Sequence, residues 1–245
     1  MVQKRPLVLE PHIWRQHINP LIEAIFTGLL DLAIDIPSIM ASVHELLQTD
    51  AESVELPYYI DLLLQKCNDL DAWRIQYQER TWVENKIPVY WSVPSRASNP
   101  FDSGDAEKLF PFALIFSSMG AASAWIFGSS IMLDILDTIL LCGPTSGNTT
   151  KVDSEKIARL LCQSMEFCYQ TKNGTFGPQI TCYSQATLLK YYANRGLESE
   201  LEWCRNIPNM RCSGASFEID LMQFQASGLG NIQSDSCPAA QWVWP

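Results

Sequence analysis

Histidine and basic charge are scarce in this chain of 245 residues. The three histidines, His12, His17 and His44, all fall within the first 44 positions. The rest of the chain therefore has no imidazole to ligate a metal or carry a proton near neutral pH. His12 and His17 are five apart, neither one helical turn nor two. Lys and Arg number 17 against 27 Asp and Glu, giving a net charge of −10 and a pI of about 4.7. Nucleic-acid binding needs a basic face that displaces counterions, and an anionic membrane surface selects the same kind of face. Neither is expected here, and no basic cluster stands out.

Other signatures are missing as well. No pair of cysteines has the two-to-four-residue gap of a structural zinc site. The eight cysteines are Cys67, Cys142, Cys162, Cys168, Cys182, Cys204, Cys212 and Cys237, and the nearest pair, Cys162 and Cys168, is six apart. Most lie in apolar periodic runs, where a free thiol acts as a small hydrophobe. They read as reduced, buried thiols. No G-x-S-x-G, P-loop or dinucleotide fingerprint occurs, and Gly228–Asn231 ("GLGN") follows no strand. The N-terminus "MVQKRPLVLEPHIWRQH" is interrupted by Glu10, His12 and Arg15, so it does not read as a signal peptide. An intracellular protein, nuclear or cytoplasmic, is expected. The glycosylation sequons at Asn148 and Asn173 then read as chance polar loops.

What the chain has in quantity is apolar sequence: 47% of residues are hydrophobic. From Leu109 to Leu133 there is no charged residue. A helix of that length spans the roughly 30 Å of a bilayer. Three features favour a soluble core instead. The run holds five serines, its only tryptophan, Trp125, lies near the middle, and its flanks are mainly acidic. Membrane helices place tryptophan at their ends and are oriented by Lys and Arg. Gly120, Ala124 and Gly128 are spaced by four, which lets another helix approach one face closely. A helix apolar on nearly all sides belongs at the centre of a large core.

The remaining segments are mostly helical. "PLIEAIFTGLLDLAIDI" ends before Pro37, and "PSIMASVHELLQ" begins with that proline in its first turn. Ile60, Leu63, Leu64, Cys67 and Leu70 recur at 3.6-residue spacing, as do Ile157, Leu160, Leu161, Met165 and Cys168. Between them, Lys86 to Asp105 is rich in proline and serine and reads as an irregular loop, its tip the best candidate for flexibility. "CGPTSGNTTKVD" is a second loop and "NGTFGP" a turn. "QITCYSQATLLKYYANRG" is a helix stopped by Gly196. "LESELEWCRNIP" is a short helix, and "GASFEIDLMQFQ" the last candidate element. No strand alternation of useful length is visible. The fold class is thus all-α, a multi-helix domain over residues 13–225 around a long buried helix. A flexible stretch (1–12) precedes it and a tail (226–245) bearing Trp242 and Trp244 follows.

This order of segments resembles the all-helical regulatory domain that follows the zinc cluster in fungal-specific transcription factors of the zinc binuclear cluster family. The likeness runs from about Ile13 to Phe224. It rests on "RQHINPLIEAIFTGLLDLA", on "FALIFSSMGAASAWIFGSSIMLDILDTILL" and on "IARLLCQSMEFCYQTKNGTFGPQITCYSQATLLKYYANRG" followed by "ELEWCRNIPNM". The resemblance implies a role in transcription regulation through activation, dimerisation or inhibitor response, with a protein partner or a second copy as binding partner. It also implies an association with secondary-metabolite genes. The chain departs from the family in lacking the six-cysteine cluster and its basic linker, so sequence-specific DNA binding by this chain alone is not expected. No cofactor is implied.

The alternative is enzymatic. Asp134 and Asp137 are three apart on one helix, where both carboxylates could reach one Mg²⁺ through oxygen ligands. An apolar, aromatic helical shell with a bound metal is what a cyclase of isoprenoid or similar small apolar intermediates requires. Against this, a second metal cluster and the basic residues for a diphosphate are not recognisable, and an acidic pair at a solvated helix end is common. A third class is a pure interaction module, in which Tyr90 and Trp91 of "VYWSVPSR" either anchor a partner or tuck the loop onto the core.

Overall fold

The computed structural model describes residues 24–49, 54–102, 108–143, 152–212 and 215–216. Three helices open the described chain: α1 (Ala24–Ala33), α2 (Ile36–Thr49) and α3 (Leu56–Asn85). The break between α1 and α2 is where the sequence places it. Pro37 sits in the first turn of α2, where a missing N–H leaves no helical bond unmade. The Ile39 amide takes up the Asp35 carbonyl at 3.2 Å. α3 also carries a proline, Pro57, in its first turn. Its expected stripe of Ile60, Leu63, Leu64, Cys67 and Leu70 is buried throughout, and Tyr77 continues it. Trp73 and Tyr77, one turn apart, stack at 5.3 Å. α3 ends at Lys86, which adopts a left-handed φ of 57° while its amide bonds the Trp82 carbonyl at 3.0 Å. Lys66 of α3 reaches Asp35 at the α1–α2 junction, 3.4 Å away.

The next elements differ from the sequence reading. Two strands, β1 (Tyr90–Pro94) and β2 (Phe112–Phe116), pair antiparallel, with Tyr90 opposite Phe116 and Trp91 opposite Ile115. The irregular loop assigned to Lys86–Asp105 thus contains a strand. The long apolar run is likewise divided: Phe112–Phe116 is strand, and the helix α4 starts only at Met119 and runs to Leu141. A continuous apolar run carries no periodicity that separates a buried strand from a buried helix. The bulky "FALIF" fits a pleated surface, and "SSMG" supplies the break. There the Ser118 hydroxyl accepts the Ala121 amide at 3.0 Å, a helix N-cap. α4 closes at Gly143, at φ 86°, whose amide reaches the Leu140 carbonyl.

α4 is the one helix among the described residues long and apolar enough to cross a membrane, and 78% of its most apolar window is buried inside the protein. The core reading of this helix therefore holds. Trp125 is buried, as are Ala124 and Gly128, while Gly120 at the start is exposed. Of its buried serines, Ser130 is accommodated by hydrogen bonds: its Oγ donates to the Ile126 carbonyl at 2.7 Å and lies 3.0 Å from Ser184 Oγ.

α5 (Ser154–Cys168), α6 (Phe176–Arg195) and α7 (Glu198–Arg205) follow. The α5 stripe is buried at Ile157, Leu161, Met165 and Cys168, with Leu160 at its margin. Gly196 stops α6 at φ 64°, and the Leu197 amide bonds back to the Tyr192 carbonyl at 3.1 Å. Gly177 permits a close approach, since a Cβ there would fall on the Cys168 carbonyl oxygen. Two-residue strands β3 (Arg211–Cys212) and β4 (Ala215–Ser216) end the described chain.

The protein is all-α in class, with small two-stranded sheets as its β-structure among the described residues. These residues divide into two units. One comprises α1–α3 and α4 from Ile131 onward. The other comprises β1, β2, α4 up to Ser130, and α5–α7. The N-terminal stretch 1–12, the loop at 144–151, most of the last candidate element and the tail 226–245 lie outside the described residues.

Candidate functional site

The connection between β1 and β2 is tied down by several side-chain hydrogen bonds. Ser95 Oγ donates to Glu166 Oε2 at 2.8 Å, and the Arg96 backbone amide donates to both Glu166 oxygens at 3.1 Å. Glu166 stands on α5 and is buried. Asn99, also buried, donates from Nδ2 to the Trp203 carbonyl at 3.0 Å and accepts the Phe101 amide at 2.9 Å. The Trp203 indole donates to Asp102 at 3.3 Å, and Lys108 Nζ donates to the Ser95 and Ala97 carbonyls at 2.9 and 2.7 Å. Phe110 meets Trp203 edge-on at 4.6 Å, and the Arg159 guanidinium lies over the Phe110 ring, 5.4 Å from its centre. The flanks of the loop are thus pinned by polar contacts, of which the Asn99–Trp203 bond is fully buried and shielded from competing water. Its tip, residues 103–107, lies outside the described residues.

Beneath this network is a small cavity, partly open to solvent and bordered by Ser95, Phe110, Cys162, Glu166, Trp203 and Met210. Its volume is about 10 Å³, room for one water-sized molecule. Cys162 lines it, and behind Cys162 a second thiol approaches: Cys162 Sγ lies 3.8 Å from Cys204 Sγ and 3.7 Å from the Tyr192 hydroxyl. Burial, then the neighbouring Cys162, raises the Cys204 thiol well above its ordinary pKa. Burial likewise holds the Tyr192 hydroxyl far above its usual range.

Sequence reasoning singled out neither Glu166 nor the Cys162–Cys204 pair. A signal for Glu166 existed: it is the one acidic residue between Leu161 and Cys168, where nearly every position is buried. No such signal existed for the cysteine pair, which is joined across 42 residues of chain.

The residues that were singled out are dispersed. Asp134 is half-buried and Asp137 only 2% exposed, so a solvated helix end does not describe the pair. Among the described residues no group of three or more His, Cys, Asp or Glu side chains is placed to hold a metal. His44 is half-buried on α2, and His12 and His17 lie outside the described residues. Tyr90 and Trp91 part company, as adjacent strand residues must. The Tyr90 ring packs 4.5 Å from Trp125, whereas Trp91 is 42% exposed. Cys67, Cys142, Cys162, Cys168, Cys182 and Cys204 are free thiols, and Cys67, Cys162, Cys168 and Cys204 are buried.

The first unit offers a different kind of surface. Ile75, Trp82 and Val83 lie within about 100° of one another around α3. All three are exposed, Trp82 by 55% and Val83 by 64%. Exposed charges of both signs, Glu79, Arg80, Glu84 and Lys86, surround them. Comparison with family models, with curated proteins and with solved structures returns no match.

Proposed function

We propose that the chain is a regulatory, partner-binding module of the kind it resembles, the helical regulatory region of fungal transcription factors, and that it self-associates through α3. The exposed stripe of Ile75, Trp82 and Val83 carries this reading. Tryptophan dominates binding hot spots because it buries a large rigid surface at little entropic cost. A second copy of the chain suits the stripe. Two copies of α3 packed antiparallel oppose Arg80 and Lys86 to Glu79 and Glu84 across a two-fold axis, so an otherwise acidic protein avoids like-charge contacts there. The −10 net charge supports a protein partner over a nucleic acid. The genes concerned, including a link to secondary metabolism, and a nuclear or cytoplasmic location remain part of the proposal.

The test is sedimentation equilibrium across a concentration series. Dimers are expected for the native chain and monomers for Trp82→Asp/Val83→Asp with unchanged helix content. A native chain that stays monomeric at high micromolar concentration overturns self-association. The transcriptional part is tested separately by mapping the 5′ end of the native transcript. An in-frame upstream segment encoding a six-cysteine cluster and basic linker supports it, and a message starting at Met1 opposes it.

The metal-dependent enzyme is the second reading, and it rests on Asp134 and Asp137. The cavity beside Cys162 is far below the several hundred Å³ of a small-molecule site, and Asp137 is buried. A magnesium titration followed by thermal unfolding checks it: a rise in Tm that Asp134→Asn removes would put the enzyme first.

A further inference from the structure

We propose that Cys162 and Cys204 are a modification site: a dithiol that hydrogen peroxide, or a similarly small hydroperoxide, converts to an intramolecular disulfide. The proposal is independent of the self-association reading and rests on three observations within the second unit. The two sulfurs are 3.8 Å apart on different helices. A disulfide bond is about 2.05 Å, so closure requires the two sulfurs to approach by about 1.8 Å. A partly open, water-sized cavity leads to Cys162 and to no other described cysteine. At rest it holds about one water, so a peroxide enters only as the lining gives slightly, and a bulky disulfide oxidant is excluded. Finally, the Tyr192 hydroxyl, 3.7 Å from Cys162 Sγ, is a donor positioned to steady a thiolate there.

The chemistry balances in two steps. Cys162, after losing its proton, attacks one peroxide oxygen. The O–O bond breaks, an S–O bond forms, and the departing oxygen leaves as water once protonated. The product is a sulfenic acid at Cys162. The Cys204 sulfur then attacks the Cys162 sulfur. The S–O bond breaks, the S–S bond forms, and the hydroxyl leaves with the Cys204 proton as a second water. Two thiols and one hydrogen peroxide give one disulfide and two waters, and the sulfur pair supplies both electrons. The order of roles follows from placement. Cys162 lines the cavity, while Cys204 lies behind it as the resolving thiol.

The bond would join the two helices that hold the β1–β2 loop. Glu166, one turn beyond Cys162, binds Ser95 and Arg96, and Trp203, adjacent to Cys204, binds Asn99 and Asp102. Oxidation therefore stiffens the anchor of that loop.

The experiment uses the folded, reduced full chain. It is treated with hydrogen peroxide, its remaining thiols are alkylated, and its peptides are mapped by mass. The expected product is a Cys162–Cys204 linked peptide that dithiothreitol reverses. With it, hydrogen exchange at the Arg96 and Phe101 amides slows several-fold. Cys204→Ser is expected to leave a persistent sulfenic acid at Cys162, trapped by dimedone. Should that variant not fold, the linked peptide of the native chain still decides. A Cys162 bridge to any other cysteine overturns the proposal. So does further oxidation of Cys162 with Cys204 still free, or survival of both thiols until the protein unfolds.

Discussion

Glu166→Ala isolates the contact that organises the second unit. The Glu166 carboxylate accepts from Ser95 Oγ at 2.8 Å and from the Arg96 amide at 3.1 Å, and it is buried. Hydrogen bonds to a charged acceptor contribute roughly 1.5–3 kcal/mol each. Removing the carboxylate leaves two donors unsatisfied near a cavity that holds about one water. A single water recovers part of that loss, so the local cost is set at about 2–3 kcal/mol. At about 1.4 kcal/mol per factor of ten, exchange of the Arg96 amide through local opening should accelerate roughly 30- to 150-fold. Hydrogen exchange resolved by NMR or by peptide mass measures this directly and does not require the chain to unfold in one step. Glu166→Gln retains one acceptor oxygen and should fall between the native chain and the alanine variant. An Arg96 amide that exchanges within twofold of the native rate in Glu166→Ala would refute the reasoning, because the carboxylate would then not be what holds the loop.

Other outcomes follow from single residues. Gly177→Ala should lower Tm, at a cost of about 1–3 kcal/mol, because its Cβ has no room beside the Cys168 carbonyl. A thermal scan that matches the native protein would count against that close approach. Lys86→Gly should stabilise the protein by about 0.5–1 kcal/mol, since a left-handed φ of 57° strains a lysine and not a glycine. Urea titration with an unchanged slope checks it. Burial, then the Asp71 charge, pushes the Cys67 thiol from 9.0 up to about 12. A pKa raised on folding means that stability is fully present below 9.0 and is lost as pH rises toward about 12, because the unfolded thiol ionises first. The decline between those limits should be shallower in Cys67→Val by up to about 1.4 kcal/mol per pH unit, read from urea midpoints at successive pH values.

How much was legible in advance varies by element. α2, α3, α5 and α6 announce themselves through apolar spacing, a proline in the first turn of α2, and Gly196 at the end of α6. Burial of α4 was also legible, from Trp125 near the middle of the charge-free run Leu109–Leu133 and from the serines of that run. The strand Phe112–Phe116 was not, since an unbroken apolar run has no phase to read. The pair Tyr90 and Trp91 was found as a pair but not sorted: pairing with Phe116 and Ile115 turns one inward and the other toward solvent. Asp134 and Asp137 were placed on one helix correctly, and the burial of Asp137 went unforeseen because helical spacing says nothing about what packs on that turn.

Sequence by itself determined the helical class, the acidic surface and the positions of most helix ends, because each depends on residues within a few positions of one another. Tertiary structure decided the rest. Glu166 meets Ser95 across 71 residues, Asn99 meets Trp203 across 104, and Cys162 meets Cys204 across 42. Contacts at such separations exist only after the chain has folded back on itself. Local propensity cannot encode them, and so the pinned loop, the small cavity and the thiol pair appear only in three dimensions.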